Sequence, residues 1–127
     1  MKNSIIDRKG DPVLIEATAL TPIVYKHTFG GDMLKDMTAI RNGSLDKNDI
    51  FDLCAKCAFI MSKQVTHNKD LAGLMSLKIE DFYEFLNDFE SNSFMTEETQ
   101  AIIFGTWFNN ANVIDKVKNP QSPPNEN

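Results

Sequence analysis

The chain has 127 residues, with thirteen basic and eighteen acidic side chains and a formal net charge of −5. This length corresponds to one domain, and 42% hydrophobic with 24% charged residues is the composition of a globular protein. The acidic balance disfavours nucleic acid as a partner, and no apolar stretch reaches the roughly 18–20 residues of a membrane span. Two cysteines are too few for a secreted disulfide scaffold, so we expect a cytoplasmic protein without membrane contact.

The N-terminal segment has the pattern of a β-hairpin. Ile5 and Ile6 precede a run of turn-forming residues over 8–12, and a β-branched stretch over 13–18 follows. An isolated two-stranded ribbon is only marginally stable in water. We therefore expect it to pack on helices or to pair with another chain through its free edges.

Helical periodicity then replaces the strand period. Thr21 is predicted to cap a first helix that Pro22 begins, and the glycines at 30–31 are predicted to end it. Asp32 is predicted to cap a second helix that ends at 42–43, where Asn-Gly favours termination.

Three further helices are predicted beyond this point. The third spans about 46–65 and carries a single apolar face, and a polar connection over 66–73 follows it. Ser76 is predicted to cap the fourth helix. Thr96, followed by two glutamates, is predicted to cap the fifth.

The predicted fold is therefore mainly α (α+β), with an N-terminal β-hairpin followed by about five helices in a small bundle. The single domain is predicted over 1–115. Residues 116–127 hold three of the five prolines and are predicted to form a disordered tail.

Cys54 and Cys57 form a C-x-x-C pattern on the apolar face of the third helix. Burial in the core is the favoured interpretation, because cysteine behaves as a small hydrophobe and the helical context differs from that of a thioredoxin-type site. A zinc site would need two further ligands, for which the separated His27 and His67 are the remaining candidates. Zinc binding and redox activity stay open as alternatives.

No nucleophile elbow, phosphate-binding loop or metalloprotease motif occurs in the sequence. His27 has no carboxylate or thiol near it in sequence that would orient it for catalysis. We therefore predict no catalytic residues, no cofactor and no metal.

The second half of the chain combines acidic and aromatic residues. Residues 79–115 contain eight acids, six of the nine phenylalanines and the only tryptophan, but no lysine or arginine. One interpretation is an apolar core face backed by a solvated acidic surface. The other is an exposed aromatic surface framed by acids that binds an apolar, basic partner. Under the second interpretation, the predicted partner-binding residues are Phe82, Phe85, Phe89, Trp107, Phe108, Glu80, Asp81 and Glu84.

The segment over 19–37 resembles the tail assembly chaperones of long-tailed phages and prophages of Gram-positive bacteria. Those proteins share a pattern of Thr-Pro, an apolar pair, Tyr-basic, Phe-Gly and Asp-apolar-apolar. The matching residues are Thr21, Pro22, Ile23, Val24, Tyr25, Lys26, Phe29, Gly30, Asp32, Met33 and Leu34. Gly31 departs from the pattern, where a basic residue is usual, and the two cysteines have no expected counterpart.

The motif residues have structural roles on physical grounds. Besides the caps and the helix start already described, Tyr25 and Phe29 are expected to anchor one face of the first helix. Gly30 is expected to allow the chain to leave that helix, and Asp32 to start the next one.

The resemblance implies a non-enzymatic helper in tail assembly. Such chaperones bind the long, helical tape measure protein, keep it soluble and help to recruit tail tube subunits around it. The implied partners are thus the tape measure protein and the tail tube protein, with self-association as a further expectation. The implied location is the host bacterial cytoplasm rather than the mature virion.

The alternative function is a small helical DNA-binding transcriptional regulator. The second and third helices and their short junction could form a helix-turn-helix, with Lys47, Lys56 and Lys63 contacting phosphates. Acids at 46, 49 and 52 stand where such a helix would meet phosphates, which disfavours this interpretation.

Overall fold

The computed structural model describes residues 2–68 and 70–118, with side chains described over 3–68 and 70–108. It confirms the predicted fold class, since an antiparallel hairpin is followed by helices. The strands are β1 (Lys2–Ile6) and β2 (Pro12–Glu16), and the α-helices are α1 (Thr21–Phe29), α2 (Met33–Arg41), α3 (Lys47–His67), α4 (Leu71–Met75), α5 (Ile79–Leu86) and α6 (Glu97–Lys118). A 3-10 turn over Ser93–Met95 leads into α6.

The hairpin has one buried and one exposed face. Its register places Ile5 opposite Val13, so these residues and Ile15 share a face. Ile5 and Ile15 are buried, and the two strands contact α3 and α6. The other face carries Ile6 and Leu14, each 57% exposed. The predicted hairpin is thus confirmed. It packs on helices, as we expected because an isolated two-stranded ribbon is only marginally stable.

Thr21 begins α1 but does not cap it, which corrects the prediction. The N-cap position belongs to Leu20, which forms no side-chain capping bond. The buried Thr21 hydroxyl accepts a hydrogen bond from the Thr18 N–H at 2.9 Å and donates one to Oε1 of Gln64 on α3. The Gln64 amide in turn donates to Thr18 Oγ1 at 2.8 Å. This threonine–glutamine network (Thr18, Thr21 and Gln64) provides hydrogen-bond partners for the buried side-chain amide of Gln64. Satisfying that amide stabilises the fold more than a capping bond from Thr21 would.

The predicted junction between α1 and α2 is confirmed. Gly30 ends α1 with a φ of 76°, in the left-handed region, and its N–H donates to the Lys26 carbonyl at 2.8 Å. The Asp32 carboxylate caps α2 by accepting from the Lys35 N–H at 3.1 Å. The junction between α1 and α2 therefore takes only three residues, 30–32, and is formed by hydrogen bonds between residues close in sequence.

Helix α3 is the centre of the molecule, and its buried surface is wider than the single face that the sequence predicted. The hairpin and the other five helices all contact α3 or an element that does. Its buried residues are Leu53, Cys54, Ala55, Cys57, Ala58, Phe59, Ile60, Met61, Ser62 and Gln64. Ile50 and Val65, predicted on the apolar face, are half-buried at its two ends. The wider burial arises because neighbours lie on several sides of α3, which periodicity alone does not reveal.

The connection after α3 contains the short helix α4, which the sequence did not predict. A five-residue helix is too short to give a periodic signal. Ser76 ends α4 instead of capping α5, which corrects that assignment. The N-cap of α5 is Lys78, whose N–H donates to the Asp81 carboxylate at 2.9 Å.

Thr96 caps α6 as predicted, because its hydroxyl accepts from the Thr99 N–H at 3.2 Å. Helix α6 continues to Lys118, three residues past the predicted domain end at 115. The remainder of the predicted tail, residues 119–127, lies outside the described residues.

We expect Gly30→Ala to lower the free energy of unfolding by about 1 kcal/mol, since a Cβ is disfavoured at positive φ. Gly31→Ala is the matched control. Its φ is not in the left-handed region, and an added Cβ would meet Tyr25 Cε1 at an ordinary 3.5 Å, so the change should stay within about 0.5 kcal/mol. Urea denaturation measures both variants, and equal losses would contradict the assignment.

We expect Gln64→Leu to lower the free energy of unfolding by about 1–3 kcal/mol, because it leaves the buried Thr21 hydroxyl and the half-buried Thr18 hydroxyl without their Gln64 partner. Thr21→Val should be destabilising for the reciprocal reason. Because both changes break one network, the double variant should lose about 1 kcal/mol less than the sum. A double-mutant cycle by denaturant unfolding measures this, and strict additivity would show that the network does not couple the two residues.

Candidate interaction surface

Buried and half-buried aromatic rings of α1, α3 and α5 form one connected cluster with Phe89, which follows α5, and Phe94 of the 3-10 turn. Within it, Phe59 of α3 is fully buried and lies 5.5 Å from Phe82 and 5.6 Å from Phe85, measured between ring centroids. Phe85 continues to Phe89 at 4.9 Å. The members of this aromatic cluster are Tyr25, Phe29, Phe51, Phe59, Phe82, Phe85, Phe89 and Phe94.

Three of the predicted partner-binding rings belong to this interior. Phe82, Phe85 and Phe89 are 7%, 9% and 6% exposed. Their edge-to-face and tilted contacts with neighbouring rings contribute to stability beyond simple burial. These three rings therefore build the core and are not presented to a partner in this structure. For them, the interpretation as an apolar core face is the one that the structure matches.

Trp107 and Phe108 of α6 are half-buried. Both pack against the buried core. The guanidinium of Arg41, at the end of α2, lies 4.9 Å from the centroid of the Phe108 ring. A cation at this distance over an aromatic face is attracted by the ring quadrupole. The two side chains join α6 to the rest of the fold while keeping part of their surface accessible.

The predicted acids lie on the outward side of α5. Glu80 and Glu84 are exposed, and Asp81 is half-buried because its carboxylate accepts the Lys78 N–H. Between these acids stand two exposed apolar side chains that the prediction did not include, Ile79 at 38% and Tyr83 at 59% exposure. The combination of exposed apolar groups and acids is present on α5, but with different residues from those predicted.

The signal for these two residues was present in the sequence. Residues 79 and 83 are four apart on a helix, so they share a face, as 80 and 84 do. Phe82 and Phe85 share the opposite, more apolar side of α5, and these larger rings take the interior. A comparison of the hydrophobicity of the two faces of α5 would have assigned Tyr83 to the surface.

A second exposed apolar pair lies at the α1–α2 junction, inside the motif segment. Ile23 and Leu34 are 56% and 52% exposed and line one shallow depression of about 230 Å³. Lys26 and Asp32 border the same depression, so charges of both signs surround it. The sequence assigned this segment a purely structural role and missed its exposed apolar surface.

The prediction that Cys54 and Cys57 lie in the core is confirmed, since both thiols are fully buried and unpaired. Burial raises the pKa of the Cys54 thiol to about 12. Burial also raises the pKa of Cys57 well above its usual range, and the neighbouring Cys54 adds to that shift. Within residues 2–68 and 70–118, no group of three or more His, Cys, Asp or Glu side chains is arranged to hold a metal ion.

The lysines proposed as phosphate contacts are engaged elsewhere, apart from Lys47. The Lys56 ammonium pairs with Asp52 at 2.9 Å and lies 5.2 Å from the Phe29 ring centroid. The Lys63 ammonium lies 5.7 Å from the Phe59 ring centroid. The middle of α3 is covered by other elements, and the exposed residues of its first two turns include the acids Asp49 and Asp52.

Comparison of the chain with protein-family models, curated proteins and solved structures gave no match. Among the helices of the described part of the chain, none has both the length and the apolar character needed to cross a membrane.

We expect both thiols to resist alkylation in the folded protein. With a pKa of about 12, only about one Cys54 in ten thousand is a thiolate at pH 8. Mass spectrometry after iodoacetamide treatment should find both cysteines unmodified in buffer and modified in guanidinium chloride. Rapid labelling of the folded protein would contradict the buried placement and revive a redox role.

Proposed function

We propose that this protein is a tail assembly chaperone of a long-tailed phage or prophage, acting by binding other proteins and not by catalysis. The observation that carries the proposal is the motif segment that resembles those chaperones. Its residues form a compact α1–α2 unit, in which Gly30 and Asp32 have the roles expected of them.

The surface of the protein supports a binding role. Two pairs of large apolar side chains, Ile23 with Leu34 and Ile79 with Tyr83, are exposed on helices whose other faces are buried. Their exposure has no role in holding this domain together. Exposed apolar groups among polar ones are the usual means by which protein surfaces recognise partners.

The proposed partners are the tape measure protein, a long helical protein that aggregates on its own, and the tail tube protein. The proposed place of action is the host bacterial cytoplasm during tail assembly, with no part in the finished virion. Self-association of the chaperone along its partner belongs to the same proposal. The alternative of a DNA-binding regulator gains no support, because the middle of α3 is covered and most of its candidate lysines are engaged.

We expect the purified protein to co-elute in size-exclusion chromatography with the tape measure protein of the same phage genome, and to increase its soluble fraction on co-expression. An unrelated acidic protein of similar size is the control for non-specific charge effects. The tail tube protein is tested in the same way. Absence of a shift with either protein, when both are soluble, would refute the proposal.

A further inference from the structure

The outward face of α5 consists of four residues in two neighbouring pairs. Ile79 and Tyr83 form an apolar pair, and Glu80 and Glu84 form an acidic pair beside it, each spaced by one helical turn. All four side chains are exposed. We call these four residues the α5 face. Helix α5 has eight residues, which at 1.5 Å per residue gives a length of about 12 Å.

The orientation of α5 is fixed by its inward side. Phe82 lies 5.1 Å from Phe29 of α1, and Phe85 lies 5.6 Å from Phe59 of α3, so two other helices hold the phenylalanine rings. Turning α5 would bring these rings into water, which the loss of apolar burial opposes. The Tyr83 ring, by contrast, contacts only its neighbour Phe82 among the described rings, at 5.9 Å. The α5 face is therefore presented outward in a preformed geometry.

The charge of the α5 face is uncompensated. Glu80 and Glu84 form no ion pair with any described residue, and residues 79–115 contain no lysine or arginine. A partner with cations beside an apolar surface would relieve the repulsion between Glu80 and Glu84. The same partner would cover Ile79 and Tyr83. The α1–α2 depression differs, because a cation, Lys26, and an anion, Asp32, both border it.

We propose that the α5 face docks an amphipathic helix of its partner that carries Lys or Arg beside an apolar stripe. Apolar side chains of the partner helix contact Ile79 and Tyr83, while its cations lie against Glu80 and Glu84. This inference rests on the proposed function, since it specifies the chemistry of the tape measure segment that the chaperone would hold.

The test uses a helical peptide of about twenty residues, built from Leu, Ala and Lys with one apolar stripe. Two control peptides have a scrambled order of the same residues and Glu in place of Lys. Binding is measured by isothermal titration calorimetry at two salt concentrations. The protein variants are Ile79→Ser with Tyr83→Ser, Glu80→Gln with Glu84→Gln, and the control Ile6→Ser with Leu14→Ser on the exposed face of the hairpin.

The unmodified protein is expected to bind the striped Lys peptide at least tenfold more tightly than either control peptide. The Ile79/Tyr83 variant should lose at least tenfold in affinity. The Glu80/Glu84 variant should lose about three- to tenfold and most of the salt dependence. The Ile6/Leu14 variant should bind like the unmodified protein. Circular dichroism melts verify that every variant is folded, which the exposure of all six residues favours.

Equal binding of the striped and scrambled peptides, or equal binding by all variants, would overturn the docking proposal. It would also be overturned if sedimentation of the protein alone showed a dimer that the Ile79/Tyr83 variant dissolves, because the α5 face would then be covered by a second copy. Co-elution of the tape measure protein with the Ile79/Tyr83 variant would refute this surface and leave the proposed function intact. Failure of the unmodified protein to bind the tape measure protein would refute the function itself.

Discussion

The ring of Phe59, at the middle of α3, is the point at which three helices meet. Rings from α1 and α5 surround it, with Phe29 at 6.1 Å, Phe82 at 5.5 Å and Phe85 at 5.6 Å. Each such contact adds about 0.5–1.5 kcal/mol beyond the burial of the rings. Because the contacts are directional, they fix not only that α5 packs on α3 but also which side of α5 faces outward. The exposed surface thus follows from the geometry of the core.

Features that depend on residues within a few positions of each other were predictable from sequence. The hairpin turn, the glycine exit at Gly30 and the caps at Asp32 and Thr96 are examples. Features that depend on distant residues were not. Thr21 donates its hydroxyl hydrogen bond to Gln64, 43 positions away in sequence, instead of capping α1. The burial of Phe82 and Phe85 depends on rings in α1 and α3, so composition could not distinguish an aromatic interior from an aromatic surface.

The acids of α5 occupy outward positions because aromatic rings fill the inward ones. This division has two physical effects at the same surface. The carboxylates of Glu80 and Glu84 repel another acidic surface, including the α5 face of a second copy of this chain. They also leave Ile79 and Tyr83 accessible to a partner of opposite charge. Selectivity of this kind arises from repulsion of wrong partners as much as from attraction of the right one.

Strand β1 rests on α6, which begins about ninety positions later in the chain. During synthesis on the ribosome the hairpin emerges well before α6, and its buried side, including Ile5, lacks part of its cover until α6 follows. Nascent chains that stop before α6 would leave the apolar side of β1 exposed. They would then be prone to proteolysis and aggregation. Helix α6 therefore acts as the closing element of this domain, because the hairpin gains its full cover only after α6 has been translated.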